Sequence, residues 1–216
     1  MAGKEFAKAV AGNWIRPVSA RPTHEVSDEE MQYDPAGAAR LLDIVTVSLL
    51  QARPDRHQVE NHILDAAHRW MKTGVATWTQ VKELIDPYDK RFWSHSESTH
   101  HGANDKVAEN NLLAVGSSLR LIQVSDLQLH VRREGGFEGS PPRTRVRAYF
   151  SFHDTHYVLS LTDPEFEDKY LKKGLGEYSV GNAAMCISLT ELFHGSAFRV
   201  VASVITSDRC RALNGQ

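Results

Sequence analysis

Arg145-Val146-Arg147-Ala148-Tyr149-Phe150-Ser151-Phe152 alternates strictly along its length. Val146, Ala148, Phe150 and Phe152 fall on one face, and Arg145, Arg147, Tyr149 and Ser151 on the other. A period of two is the signature of a strand with one buried side and one wet side. His153 to His156 reads as a four-residue loop that returns the chain as a second strand, Tyr157 to Leu161, so the segment predicts a hairpin.

Outward from this hairpin the β pattern continues. Leu119 to Val124 and Leu127 to Arg132 read as two short strands, and Arg133 to Pro142, rich in Gly and Pro, as a loop. Downstream, Thr162-Asp163-Pro164-Glu165 is a helix start, with Asp163 capping and Pro164 in the first helical position, or with Thr162 and Glu165 as a capping box. That helix runs to Lys172 or Lys173, where Gly174 stops it. Strands at Ala184 to Leu189 and Ala197 to Thr206 follow. Strands, one short helix and strands again is the order of a small Greek-key barrel such as an OB-fold.

The N-terminal half is less regular. Trp14 to Pro35, with three prolines and an acidic cluster at Asp28, Glu29 and Glu30, reads as loop with at most one helical turn. Leu41 to Leu50 reads as a largely buried strand. Val59, Ile63, Ala66, Ala67 and Trp70 are spaced by three and four, which predicts a helix over Gln58 to Lys72. A second short helix is expected over Trp78 to Ile85, with Thr77 as N-cap and Pro87 as its stop. Between Asp86 and Asp105 the chain turns polar and rich in histidine.

Composition bounds the rest. The chain has 216 residues, 41% apolar and 24% charged, ordinary for a folded globular chain. No apolar run approaches the roughly 18 residues of a membrane span. Met1 to Phe6 carries neither a hydrophobic core segment nor a cleavage site of the secretory kind, so the expected location is the cytoplasm. Cys186 and Cys210 are expected to be free thiols. The net charge of −2 excludes a protein that coats nucleic acid by bulk charge. Charge is nevertheless polarised: six arginines face three acids from Leu119 to Tyr149, and six acids face three lysines from Phe150 to Val180.

Several motifs together carry a family resemblance: Trp14-Ile15-Arg16-Pro17-Val18-Ser19, Ser118-Leu119-Arg120-Leu121-Ile122, Leu161-Thr162-Asp163-Pro164, and Ser188-Leu189-Thr190-Glu191-Leu192-Phe193-His194-Gly195 before an apolar last strand. From about Gly12 to Ile205 the chain resembles the prokaryotic dual OB-containing domain family. The resemblance implies a mainly β fold with a few short helices (α+β), built as two packed OB-like small barrels. The expected division is residues 1–115, a barrel with a helical insert, and 116–216, a second barrel, the two forming one compact unit. Members resembling this chain begin with an extra strand ahead of the Ala2 to Glu5 region, so either the first strand is absent here or the start codon is placed late. Thr190, Leu192 and His194 stand where the family tends to have Gly, Pro and Asn. The implied role is nucleic-acid binding in bacterial conflict or defence systems.

The candidate binding residues follow from what an OB surface needs, aromatic platforms beside positive charge. Arg145, Arg147 and Tyr149 supply both on one strand face, with Arg120 in the same basic block; solvation of a sheet face is the plain alternative. Trp14 and Arg16 lie on a segment extended by Pro17, where the alternative for Trp14 is a core anchor. His95, Asn104 and Asp105 are candidate hydrogen-bonding groups of a loop closing over a ligand. His95, His100, His101 and Asp105 also raise a zinc site, but the spacing lacks HExxH or paired CxxC order, so no metal and no cofactor is expected. No nucleophilic constellation stands out, and the chain reads as a non-enzymatic module for single-stranded DNA or RNA or a nucleotide-like ligand. The competing readings are a protein-interaction or adaptor domain and a metal-dependent hydrolase built on the His95 to Asp105 loop.

Overall fold

The hairpin forms as its alternation dictates. In a computed structural model describing residues 1–7, 10–33, 37–87, 92–93, 97–112, 115–135 and 141–215, strand β9 spans Arg143–Phe152 and β10 spans Thr155–Leu161. Val146, Ala148 and Phe150 are buried and Arg145 is exposed. The connecting turn is two residues, His153 and Asp154, rather than four: Thr155 pairs with Phe152, and His153 takes the positive φ of 46° that so tight a turn requires.

Upstream, the two short strands expected are one, β8, Leu119–Glu134. Ser125 and Asp126 do not break it, because its neighbour absorbs the irregularity through register shifts on either side of Gly181, whose φ is +77°. That neighbour, β11, spans Gly176–Leu189 and starts earlier than its apolar run. Strand β12, Ser196–Ile205, follows a tight hairpin in which His194 and Gly195 both have positive φ and Phe193 and Ser196 exchange backbone hydrogen bonds. Histidine therefore occupies the left-handed position where asparagine is the commoner residue.

The ring closes through a parallel contact. β8 pairs with β9, β9 with β10, β11 with β8 and β12 with β11, all antiparallel. β10 then pairs in parallel with β12, Ser160 with Val200 and Leu161 with Val201. Five strands closed in the order β8-β9-β10-β12-β11 are an OB barrel. Helix α2, Pro164–Leu171, lies between its third and fourth strands and buries Phe166 and Tyr170 against β8 and β9. Its cap is Asp163, as the sequence predicts, and this carboxylate accepts from Phe166 N–H at 3.1 Å and from Val204 N–H of β12 at 3.0 Å. One buried side chain thus fixes both the helix start and the closing strand.

This barrel belongs to a unit made of Asp86–Val115 and Leu119–Thr206. Residues 86–115, placed by the sequence division with the first barrel, are part of it. They supply a short strand β7, Lys106–Ala108, paired to the edge of β12, and buried Phe92 and Trp93. Arg199, on the inward side of β12 and 1% exposed, holds this segment. Its Nη1 donates to the carbonyls of Asn104 and Lys106 at 2.9 and 3.3 Å, and its Nη2 to those of Phe92 and Trp93 at 2.8 and 2.9 Å. Burial draws the Arg199 pKa down to about 10, which leaves it charged at neutral pH.

The other unit consists of Met1–Ile85, Gly116–Ser118 and Ser207–Gln216. Strands β1 (Gly3–Ala7) and β2 (Val10–Val18) are antiparallel, β2 is parallel to β5 (Asn61–Leu64), and β5 is antiparallel to β4 (Leu49–Ala52). Antiparallel, parallel, antiparallel is the sequence of junctions in β9-β10-β12-β11, so this sheet reproduces four of the five places of an OB ring. Among the described residues no strand joins β1 to β4.

Three readings of this half are corrected. Trp14 to Val18 is strand, not loop; Arg16 N–H bonds to Glu60 C=O at 2.9 Å, and in a parallel ladder the next nitrogen, that of Pro17, faces away, so the missing N–H costs nothing. Leu41 to Leu50 is not one buried strand but β3 (Asp43–Thr46) and β4, with Leu50 63% exposed. Gln58 to Lys72 contains no helix: β5 lies between β2 and β4 with both Ile63 and Leu64 buried, Ala66 and Ala67 sit exposed in a turn, and the chain returns as β6, Met71–Val75, beside β3. Sheet pairing overrides the helical spacing. Helix α1, Trp78–Glu83, forms with the expected Thr77 cap, made reciprocal by Gln80. The C-terminal tail folds as α3, Ser207–Leu213, burying Cys210; Cys186 and Cys210 are both free of disulfides. No helix among the described residues is long and apolar enough to cross a membrane.

Replacing Arg199 with Met removes the guanidinium donor from the carbonyls of Phe92, Trp93 and Asn104, and leaves Lys106 C=O with the Glu97 N–H alone. The expected loss is about 3 kcal/mol or more in chemical denaturation, with faster amide exchange around residues 97–106.

Candidate functional site

The outward face of β8 and β9 is fixed by the inward pairing of Val131 with Val146. His130, Arg132 and Glu134 therefore point out beside Arg147, Arg145 and Arg143, their cross-strand partners. Arg132 stands directly opposite Arg145, a like-charge pair that costs stability on a sheet.

Each of these charges has a different fate. Arg147 is clamped in a two-pronged ion pair, Nε to Glu134 Oε1 at 2.5 Å and Nη2 to Oε2 at 2.8 Å, with both side chains nearly nine-tenths buried. Although burial alone would raise it, the Glu134 carboxyl lies below its ordinary value because Arg147 bonds and attracts it, with smaller help from His101 and Arg145. Arg132 donates to Glu177 Oε1 at 2.6 Å and to His130 Nδ1 at 3.1 Å. Arg145 is exposed and makes no hydrogen bond or ion pair among the described residues.

Tyr149 is the aromatic centre of the face. Its ring stacks on His130 with centroids 3.7 Å apart and planes 17° from parallel. Arg132 lies 5.9 Å from the Tyr149 ring centre, and the exposed His156 ring 6.1 Å from it. Where β8 ends and β11 begins, an open depression of about 400 Å³ is lined by Val131, Arg132, Arg133, Leu175, Gly176 and Glu177. Arg132 thus borders both the depression and the Tyr149 ring.

The remaining candidates lie elsewhere. Arg120 is half-buried, donates to its neighbour's carbonyl on Leu119 and stands 5.8 Å from the Trp93 ring. Asn104 donates to His156 C=O at 2.8 Å and takes a positive φ of 53°. Asp105 is 5% exposed and accepts from Thr99 N–H at 2.8 Å and Thr99 Oγ at 2.6 Å. A Cβ on Gly102 would come within 1.9 Å of the Asp105 carboxylate, so the loop closes tightly on that group. Asp105 holds the loop's own shape, and Asn104 fastens the loop to β10. His95 lies outside the described residues. Among the described residues no three His, Cys, Asp or Glu side chains gather as metal ligands do.

Trp14 and Arg16 belong to the other unit. The Lys4 ammonium sits 5.6 Å from the Trp14 ring. Arg16 Nη2 donates to Glu60 Oε1 at 3.1 Å and to Ser118 Oγ at 2.9 Å. The Glu60 carboxylate is buried and further satisfied by Ser117 Oγ, Ser118 N–H and a short bond from Ser118 Oγ. Arg16 thus ties Ser118, from another stretch of chain, to the β2–β5 ladder.

His130, Arg132, Glu177 and His156 are the residues of the face that sequence reasoning missed. The alternation of Leu127 to Arg132 already sets the first two on one face; the register that places them opposite Arg147 and Arg145 is what no local pattern gives. The contribution of β11 depends on a register no local pattern reveals.

The family model of the dual OB-containing domain matches residues 1–204. The chain belongs to the dual OB-containing domain family. Comparison with curated proteins and with solved structures returns no match. Membership accounts for the closed OB ring of the second unit and for the four-place OB order of the first, and makes this dual OB protein a mainly β chain of the type that presents ligand surfaces on its barrels.

Because Glu134 sits below its ordinary 4.5 in the folded state, its contribution is full above about pH 4.5 and is lost as pH falls through the depressed value. Wild type should lose stability on acidification in that window. Glu134→Gln should be less stable at pH 7 and show a shallower loss, read by thermal melts across pH.

Proposed function

We propose that this dual OB protein is a non-enzymatic binding module for single-stranded nucleic acid or a nucleotide-like ligand, with the outward face of β8 and β9 as its contact surface. The observation that carries the reading is the exposed Arg145 standing opposite Arg132, whose guanidinium lies 5.9 Å from the Tyr149 ring centre. A phosphodiester bridging the two guanidiniums offsets their repulsion and gains charge-assisted hydrogen bonds. A base then has the face of the Tyr149 ring turned away from His130, and the exposed His156 ring, to stack on. The reading includes a cytoplasmic setting, expected from the residues Met1 to Phe6, and the bacterial conflict or defence role that the family resemblance implies.

The test is fluorescence anisotropy of labelled single-stranded DNA and RNA at two salt concentrations. Arg145→Ala should weaken binding about tenfold for every sequence and lower the salt slope by roughly one counterion. Tyr149→Leu should cost about 1–3 kcal/mol with the salt slope unchanged. Affinity indifferent to both changes removes this face from the reading. For the defence role, deleting the gene should raise phage plating efficiency in its native host, and unchanged plating counts against it.

A further inference from the structure

His130 occupies an unusual position for a histidine on a binding face. It is only 7% exposed, stacked under Tyr149, and its Nδ1 faces two groups of opposite charge: the Arg132 guanidinium at 3.1 Å and the Glu177 carboxylate at 3.6 Å. A guanidinium only donates, so Nδ1 accepts from Arg132 and the ring proton resides on Nε2, which faces Gln128 Oε1 at 3.4 Å. The geometry is that of a neutral imidazole. Arg132 is therefore held at two points, by His130 and by Glu177, and Glu177 occupies it much as a phosphate oxygen would.

We propose that His130 is a proton-controlled latch on Arg132. When neutral, it keeps the guanidinium folded against Glu177. When protonated, its Nδ1–H takes the Glu177 carboxylate and releases Arg132 to an anionic group shared with Arg145. The proton added to Nδ1 turns an acceptor into a donor, so the bond from Arg132 is lost and two cations face each other at hydrogen-bond distance. Glu177 stands close enough to close on the imidazolium instead, and being largely exposed it is free to move.

The surroundings of His130 favour this exchange. On its own strand it meets Gln128 and Arg132. From β9, Arg147 is directly opposite but committed to Glu134, and Tyr149 covers the ring. β11 supplies Glu177, and His156 of β10 approaches only through Tyr149. Burial pushes the imidazole below its ordinary 6.5; Glu177 opposes the shift and Arg132 adds to it. The latch is thus closed at neutral pH and opens on acidification below that value. It rests on the proposed reading of the face as an anion-binding surface and adds its regulation.

Two measurements separate the latch from that reading. In the free protein, NMR titration should show the His130 ring and the Arg132 Nε–H signal moving with one midpoint below 6.5, and His130→Gln should abolish the Arg132 transition. An Arg132 signal that ignores His130 overturns the latch. With a labelled oligothymidylate, wild type should bind about fivefold tighter near pH 5.5 than near pH 7.5, on the scale of one charge-assisted contact. His130→Gln should cut that response to under about twofold. Glu177→Gln, an exposed change that leaves the fold alone, should bind tightly at both pH values. An undiminished pH response in His130→Gln overturns the latch. Coupled NMR transitions without oligothymidylate binding uphold the latch and overturn the ligand reading.

Discussion

Two parallel pairings, Ser160 with Val200 and Leu161 with Val201, convert an open sheet into a ring, and the second unit depends on them. Closure decides which side of every strand is inside. It turns Val131 and Val146 inward and so turns Arg132 and Arg145 outward. It also carries Arg199, the residue before Val200, into the interior, where an unpaired charge would be intolerable. The chain answers with four backbone carbonyls from the 92–106 segment. Phe92, Trp93, Asn104 and Lys106 are thereby fastened to the same strand that closes the barrel, and Asp163 fastens that strand to the start of α2.

Electrostatics on the outer face follow a simple division. Glu134 neutralises Arg147, Glu177 neutralises Arg132, and Arg145 is left to solvent. Burial sets the strength of each pair: the first is nearly enclosed and structural, whereas the second is more than half exposed and exchangeable. A basic block in the sequence is therefore an incomplete guide to free positive charge, since Arg132 and Arg147 are partnered across strands.

Legibility in the sequence tracked how local the cause was. The β9–β10 hairpin, the α2 cap at Asp163 and the α1 cap at Thr77 all depend on neighbours in the chain, and all were readable. The single 16-residue β8 was not, because Ser125-Asp126 is continuous only by virtue of a bulged partner. The strand at β5 was masked by a chance helical spacing, and its burial on both sides comes from strands distant in sequence. Of the candidate site, Arg145 and Tyr149 came from alternation. The roles of Arg147, Arg16 and Asp105 as internal partners depended on Glu134, Glu60 and Thr99, which no pattern linked to them.

The first unit is assembled from three separate stretches of chain, the last being residues 207–216. Within it α3 lies against α1, and Asn214 donates to Ala76 C=O at 3.3 Å. During synthesis the ribosome delivers the whole of the second unit before those final residues emerge. The unit begun at the N-terminus thus takes its last helix from a stretch of chain made after the whole of the second barrel. The contact of α3 with α1 therefore joins parts of the chain far apart in sequence, and such contacts are slow to form because loop closure comes before any reward from packing.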